Sequence, residues 1–162
     1  MRIGVISDTH LNEPNLDLVN LSEGLFADVD MVLHAGDLTN ILVLDVFGDK
    51  KVQAVCGNMD RGVSAASLPA ELIVQACGYR IGLTHGWGSS HNIEARIRTR
   101  FENVDAIVYG HSHKAANHVS GGVLMFNPGS FSGSYPLGRK RSVGILTLDE
   151  GKNGIRGKIV SL

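Results

Sequence analysis

The sequence predicts an α/β fold in which two mixed β-sheets pack face to face with helices outside, a four-layer αββα sandwich. Three features of the pattern point there. The first half alternates short apolar runs with stretches of helical spacing, as βαβ units do. The second half loses that spacing and reads as glycine-punctuated strands. No linker, repeat or low-complexity stretch separates the halves, and 162 residues suit one core, so residues 1–162 are expected to form a single domain.

In chain order, residues 3–7 form a short apolar run ended by a polar turn, the pattern of a buried strand. Leu16, Val19, Leu21 and Leu25 then fall near helical spacing, and residues 31–33 form the second strand. A short helix is expected over 41–47 and a third strand over 52–55. Residues 72–76 and 79–84 flank Cys77-Gly78 and read as a β-hairpin. Ile93, Ile97 and Phe101 mark one face of a helix that begins near His91. Strands are expected at 106–109, 123–126, 143–148 and 155–160.

Composition excludes several classes. Hydrophobic residues make up 43% and charged residues 19%, ordinary globular usage. Fifteen Lys and Arg against sixteen Asp and Glu give a formal charge of -1, so no basic field exists for a stable nucleic-acid complex. The start MRIGVISDTH enters a strand without an apolar signal core, and no apolar run approaches about 18 residues; no membrane partner and a cytoplasmic location are expected. Cys56 and Cys77 are too few for a disulfide framework and lack C-x-x-C spacing, and both are read as packing residues.

The chemistry lies in the polar residues that close the apolar runs. Asp8-Thr9-His10 closes the first, Gly36-Asp37 the second and Gly57-Asn58 the third, while Thr84-His85-Gly86 and Gly110-His111-Ser112-His113 close two more. In open α/β sheets, ligands bind beyond the carboxyl ends of strands, so these five loops are expected to converge. Carboxylate, imidazole and amide groups without thiolate suit Mn, Fe, Ni or Zn. Seven such groups exceed one tetrahedral ion but fit two ions sharing a carboxylate, at a separation of roughly 3.5–4 Å.

The ordered set Asp8-x-His10, Gly36-Asp37, Gly57-Asn58, His85-Gly86 and Gly110-His111-x-His113 closely resembles the calcineurin-like metallophosphoesterases, in particular their compact bacterial and archaeal phosphodiesterase branch. Any one motif is weak; all five in one order are specific. The resemblance implies that Asp8, His10 and His113 hold a first ion, that Asn58, His85 and His111 hold a second, and that Asp37 bridges them. Asp37, Asn58 and His85 are thereby read as catalytic as well as ligating. It further implies a phosphodiesterase acting on small phosphate esters through a metal-bridging hydroxide, with two divalent ions, manganese first and nickel, iron or zinc behind it. Small enzymes of this kind often self-associate, which makes a homo-oligomer an expected partner state.

One departure matters. Many relatives carry His directly after the Gly-Asn pair, where it serves as general acid or stabilises the leaving group, but this chain has Met59, and a thioether cannot donate a proton. Asp60 is expected to orient Asn58 or a ligand histidine.

Taken singly, each residue has a local alternative: Asp8 capping a turn, Asp37 in an Asx-turn, Asn58 in a left-handed position after glycine. Jointly these leave three polar strand ends and three glycine-flanked histidines unexplained. His34, His91 and His118 are read as structural or exposed, Trp87 as lining the cleft or packing, and Asn127-Pro128-Gly129-Ser130 as a turn that lies near the metal site in similar proteins. Arg139-Lys140-Arg141 reads as a solvated turn, with attraction of an anionic substrate as the alternative. The rival function is a metallophosphoesterase-fold scaffold without catalysis, like the retromer subunit of that fold; filled ligand positions favour an enzyme. Residues 111–116 read His-Ser-His-Lys-Ala-Ala and lack the run of a metallo-β-lactamase, and neither a serine-hydrolase elbow nor a P-loop occurs.

Overall fold

A computed structural model describes residues 1–133 and 140–162. The elements run β1 (Arg2–Ile6), α1 (Leu16–Glu23), β2 (Met31–His34), a 3₁₀ helix (Ile41–Phe47), β3 (Lys51–Ala54), α2 (Gly62–Ser67), β4 (Glu71–Ala76) and β5 (Tyr79–Thr84). They continue with α3 (Ile93–Arg98), β6 (Ala106–Val108), β7 (Ala116–Ser120), β8 (Val123–Asn127), β9 (Ser142–Leu148) and β10 (Ile155–Ser161). Two five-stranded sheets result, ordered β10-β9-β1-β2-β3 and β4-β5-β6-β8-β7. Each holds a parallel triplet, β1-β2-β3 in the first and β5-β6-β8 in the second, with antiparallel strands at the remaining positions. The expected two mixed sheets flanked by helices are therefore present.

Burial on both faces explains why the parallel strands read as unbroken apolar runs. Side chains alternate across a strand, so Ile3, Val5, Met31 and Leu33 enter the layer between the sheets with Ile81, Leu83, Val108 and Phe126. Their neighbours Ile6 and Val32 point the other way, onto Leu18, Leu21 and Phe26. On the second sheet Ile107, Tyr109 and Met125 pack against Ile93 and Ile97 of α3. Four layers follow directly from this two-period pattern.

Local chemistry sets the element ends. Asn15 caps α1 by accepting a hydrogen bond from the Leu18 N–H at 2.9 Å. That phase buries Leu18 and Leu21 but leaves Leu16 at 72% exposure, so Leu16 is not part of the inward face expected for it. The helix expected near His91 starts at Ile93, after Asn92 in a left-handed conformation. Two elements carry no sequence signal. Strand β7 reads Ala-Asn-His-Val-Ser, an edge strand without a buried apolar side chain, and α2 is six residues of Gly, Val, Ser and Ala with no helical periodicity. Among the described residues no helix is long and apolar enough to cross a membrane.

Several strand glycines exist to admit a phenylalanine ring. A Cβ on Gly144 would lie 2.5 Å from the Phe126 ring, and one on Gly157 would lie 2.4 Å from the same ring. Phe126 is fully buried at the centre of the inter-sheet layer. Overpacking of this kind costs roughly 1–3 kcal/mol, so Gly144→Val is expected to lower unfolding free energy by about 2 kcal/mol. Adding Phe126→Leu should restore part of that loss in a double-mutant cycle followed by urea denaturation.

Candidate metal centre

The five loops do meet. The pairing of β1 with β2 continues past the strands: Asp8 N–H donates to Gly36 C=O, His10 N–H to Asp37 C=O and Leu11 N–H to Leu38 C=O, each at 3.0 Å. In the second sheet the pairing of β5 with β6 likewise continues, and Gly110 N–H donates to His85 C=O at 3.2 Å. Asp8, His10, Asp37, His111 and His113 all have left-handed backbones, with φ between 49° and 65°. Non-glycine residues rarely adopt that region, and clusters of them mark functional sites. The glycines before the candidate ligands answer to close approach. A Cβ on Gly57 would fall 2.2 Å from Asp37 Oδ1, and one on Gly110 would fall 2.8 Å from Ala35 C=O and 3.0 Å from Asp8 Oδ2.

The seven side chains form a graded cluster. Asp8, Asp37 and His85 are buried at its floor, while His10, His111 and His113 are half-buried and Asn58 is exposed at its rim. The ligating atoms of Asp8, His10 and His113 lie within 4.8 Å of one another, as do those of Asp8, Asp37 and His85. Asp37 Oδ2 stands 3.3 Å from His85 Nε2 and 3.9 Å from His10 Nε2, between the two sets. Asn58 Oδ1 lies 3.2 Å from His85 Nε2 and 2.8 Å from His111 Nδ1.

The hydrogen atoms of the two inner imidazoles are assigned by carbonyl partners, which can only accept. His85 Nδ1 is 2.7 Å from Ala35 C=O, and His111 Nε2 is 2.6 Å from Gly88 C=O. In the neutral rings those nitrogens carry the protons, leaving lone pairs on His85 Nε2 and His111 Nδ1 aimed at the Asn58 carbonyl oxygen. Acceptors thus face acceptors. Asp8 is 0% exposed, and neither of its carboxylate oxygens receives a hydrogen bond among the described residues, although His113 Nε2 comes within 3.1 Å of Oδ1. A buried carboxylate without donors is stable only beside a cation. Burial opposes charge on Asp37 and His85, but their mutual attraction prevails: the Asp37 carboxyl is held below its ordinary pKa and the His85 imidazole above its own. Two carboxylates, four imidazoles and an amide oxygen without thiolate are a donor set suited to divalent ions.

Around the cluster, residues outside the candidate ligand set hold its backbone. Asp60, expected to orient Asn58 or a histidine, instead accepts from three backbone N–H groups: Asp37 at 3.0 Å, Gly57 at 2.7 Å and Thr39 at 2.7 Å. Asp37 Oδ1 accepts from the Met59 N–H at 2.7 Å, which leaves Oδ2 facing the histidines. His34, fully buried, accepts from Gly36 N–H at 3.2 Å through Nδ1 and contacts Thr9 Oγ1 at 3.1 Å through Nε2. Desolvation pushes its pKa down to about 3, so it stays neutral and structural, as read from the sequence.

The Asn127-Pro128-Gly129-Ser130 turn lies beside the cluster. Asn127 Nδ2 donates to Gly110 C=O at 2.8 Å, and Ser130 and Ser132 hydroxyls both donate to Asp8 C=O. Ser132 carries no sequence signal, since its partner is backbone. His118 is exposed on β7, 3.1 Å from Glu94. Of the basic run, Arg139 lies outside the described residues; Arg141 is not merely solvated but pairs with Asp17 at 2.8 Å and sits 5.0 Å above the Phe131 ring. Because Asp60 satisfies three N–H groups at once, Asp60→Asn is expected to destabilise the fold by about 2 kcal/mol, read as a lowered urea midpoint.

Comparison with known proteins agrees with this arrangement. The model of the calcineurin-like phosphoesterase superfamily domain matches residues 1–151. "Probable metallophosphoesterase MJ0623" of Methanocaldococcus jannaschii is 35% identical over 80% of this chain and 68% of its own length. "Phosphodiesterase MJ0936" of the same organism is 28% identical over 82% of this chain and 86% of its own. A solved archaeal phosphodiesterase superposes with a TM-score of 0.73 at 25% identity, over 99% of this chain and 100% of that one. The zinc complex of Vps29 from Entamoeba histolytica shares the fold, with a TM-score of 0.74 at 24% identity over 99% of both chains. The match across nearly the whole length, on a fold whose strand ends gather carboxylates and imidazoles, places the chain in the calcineurin-like phosphoesterase superfamily of metal-dependent phosphoester hydrolases.

Proposed function

We propose that the cluster holds two divalent ions and that the protein hydrolyses phosphodiesters in preference to monoesters. The observation that carries this reading is the buried Asp8 carboxylate, which lacks hydrogen-bond donors among the described residues and lies within reach of the ring nitrogens of His10, His85 and His113. Asp8, His10 and His113 would hold one ion and Asn58, His85 and His111 the other, with Asp37 Oδ2 between them. Ions bound there supply Lewis acidity toward the phosphoryl oxygens and make a water nucleophilic near neutral pH. Manganese leads the candidates, with nickel, iron and zinc next, because the donors are nitrogen and oxygen.

The chain's own residues supply orientation. Ala35 and Gly88 carbonyls fix the tautomers of His85 and His111, and Met59 N–H fixes the carboxylate plane of Asp37, so little reorganisation is needed on ligand binding. The Met59 side chain is exposed next to Asn58 and offers no proton to a leaving group. That favours esters with stable leaving groups, and the similarity to MJ0936 supports the diester class.

The test uses protein stripped of metal and reloaded with Mn, Ni, Zn or Mg. Bis(4-nitrophenyl) phosphate should be hydrolysed only after reloading, and faster than 4-nitrophenyl phosphate. Asp37→Ala should lower diester turnover by more than about a hundredfold, since even the partners that orient metal ligands are worth 10–100-fold. Two ions per chain by elemental analysis without turnover of either ester would instead support the scaffold reading.

A further inference from the structure

A second cavity, of about 430 Å³, opens directly beside the cluster, with His113 in one wall. Its other polar lining groups are Lys114, Lys140, Ser142 and Ser161. It lies between the loop after β6 and the paired ends of β9 and β10, where Ser161 stands opposite Ser142 in the ladder. The two sheets therefore contribute one wall each. No carboxylate lines it among the described residues.

The charged side chains lining it are of one sign. Arg100, Arg141, Lys152 and Arg156 each face a carboxylate, Glu71, Asp17, Asp105 and Asp149 respectively. Lys114 and Lys140 are exposed and take part in none of the ion pairs found among the described residues. The whole chain carries a formal charge of -1, so this is a local positive site and not a general basic field. Two lysines lining one concavity place like charges on its walls, and an anion seated there offsets their repulsion.

We propose that this cavity seats a second anionic group of the substrate, which makes the natural substrate a phosphodiester carrying a further phosphate or carboxylate beside the scissile phosphate. The inference rests on the phosphodiesterase reading of the adjoining cluster. Lys114 and Lys140 are specificity-determining residues in it: they touch the distant anion and leave the reacting atoms to the cluster. The cavity is of the size that small ligands fill.

The experiment compares two chromogenic diesters with the same leaving group, using manganese-loaded protein: the 4-nitrophenyl 5′-ester of thymidine 3′,5′-bisphosphate and the 4-nitrophenyl ester of thymidine 5′-monophosphate. The bisphosphate ester should show kcat/KM about tenfold higher, mainly through KM, the size of effect that charged hydrogen bonds produce. In Lys114→Gln/Lys140→Gln that preference should vanish, with kcat on the monophosphate ester unchanged. Equal kcat/KM in the wild type, or a preference that survives in the double variant, overturns the proposal while the phosphodiesterase reading stands. If neither ester is hydrolysed that reading fails, and equilibrium binding of thymidine 3′,5′-bisphosphate against thymidine 5′-monophosphate decides: tighter binding lost in the double variant supports the anion site, and equal binding overturns it. Free carboxylate and phosphate sources are separated by competition with citrate and with inorganic phosphate.

Discussion

Everything about this fold's polar end depends on burying Asp8. A carboxylate removed from water without hydrogen-bond donors is strongly destabilising unless positive charge stands beside it. Asp8 is fully buried and Asp37 nearly so, at 3% exposure, and each has an imidazole nitrogen within 3.3 Å. Among the described residues the positive charge beside them is a proton on those rings, and attraction to Asp37 and Asp8 lifts the His85 pKa against the opposing effect of burial. A divalent ion bound there would satisfy the same carboxylates without a proton on the candidate ligand nitrogen. An ion bound there would therefore add its binding free energy to the stability of the fold.

The two sheets make such a site feasible in backbone terms. Each contributes a parallel triplet whose carboxyl ends point to the same region, so six strands deliver their loops together. The strained left-handed turns at Asp8, Asp37 and His111 are anchored by strands buried on both faces, which leaves the loops little freedom to relax. Loops from different strands also hold one another. Ala35, after β2, fixes the proton of His85, after β5, and Asn127, at the end of β8, holds the Gly110 carbonyl before His111. Neither histidine is positioned by its own loop alone.

How much of this was legible in the sequence depends on where each residue's partner lies. Strand β1 reads clearly because Ile3, Val5 and Ile6 are all at 0% exposure, and two-sided burial leaves an unbroken apolar run. Strand β7 is silent because it is a polar edge with Val119 at 67% exposure. The seven candidate ligands were legible because polar residues at the ends of apolar runs have no packing reason to be there. The roles of Asp60 and Ser132 are not legible because they bind backbone N–H and C=O groups, which nearly every residue has and no sequence pattern marks. Arg141 reads as a solvated charge in the run Lys140-Arg141, yet the fold brings Phe131 and Asp17 beneath it from distant segments.

The same distinction separates chemistry from specificity. The candidate ligands are constrained from several sides at once: changing Gly57 or Gly110 would drive a Cβ into Asp37 or Asp8, and changing Asp60 would release three N–H groups. A cluster so tightly specified can bind metal and phosphoryl oxygen but has no spare group with which to discriminate what is attached to the phosphate. Discrimination falls to side chains the fold does not constrain. Met59, Trp87, Lys114 and Lys140 are exposed on the loops or strand ends around the cluster and contribute little buried surface. They are free to vary without cost to the core, and under the proposed reading an apolar side meeting a cationic side would select substrates in a way that the ligand set alone cannot.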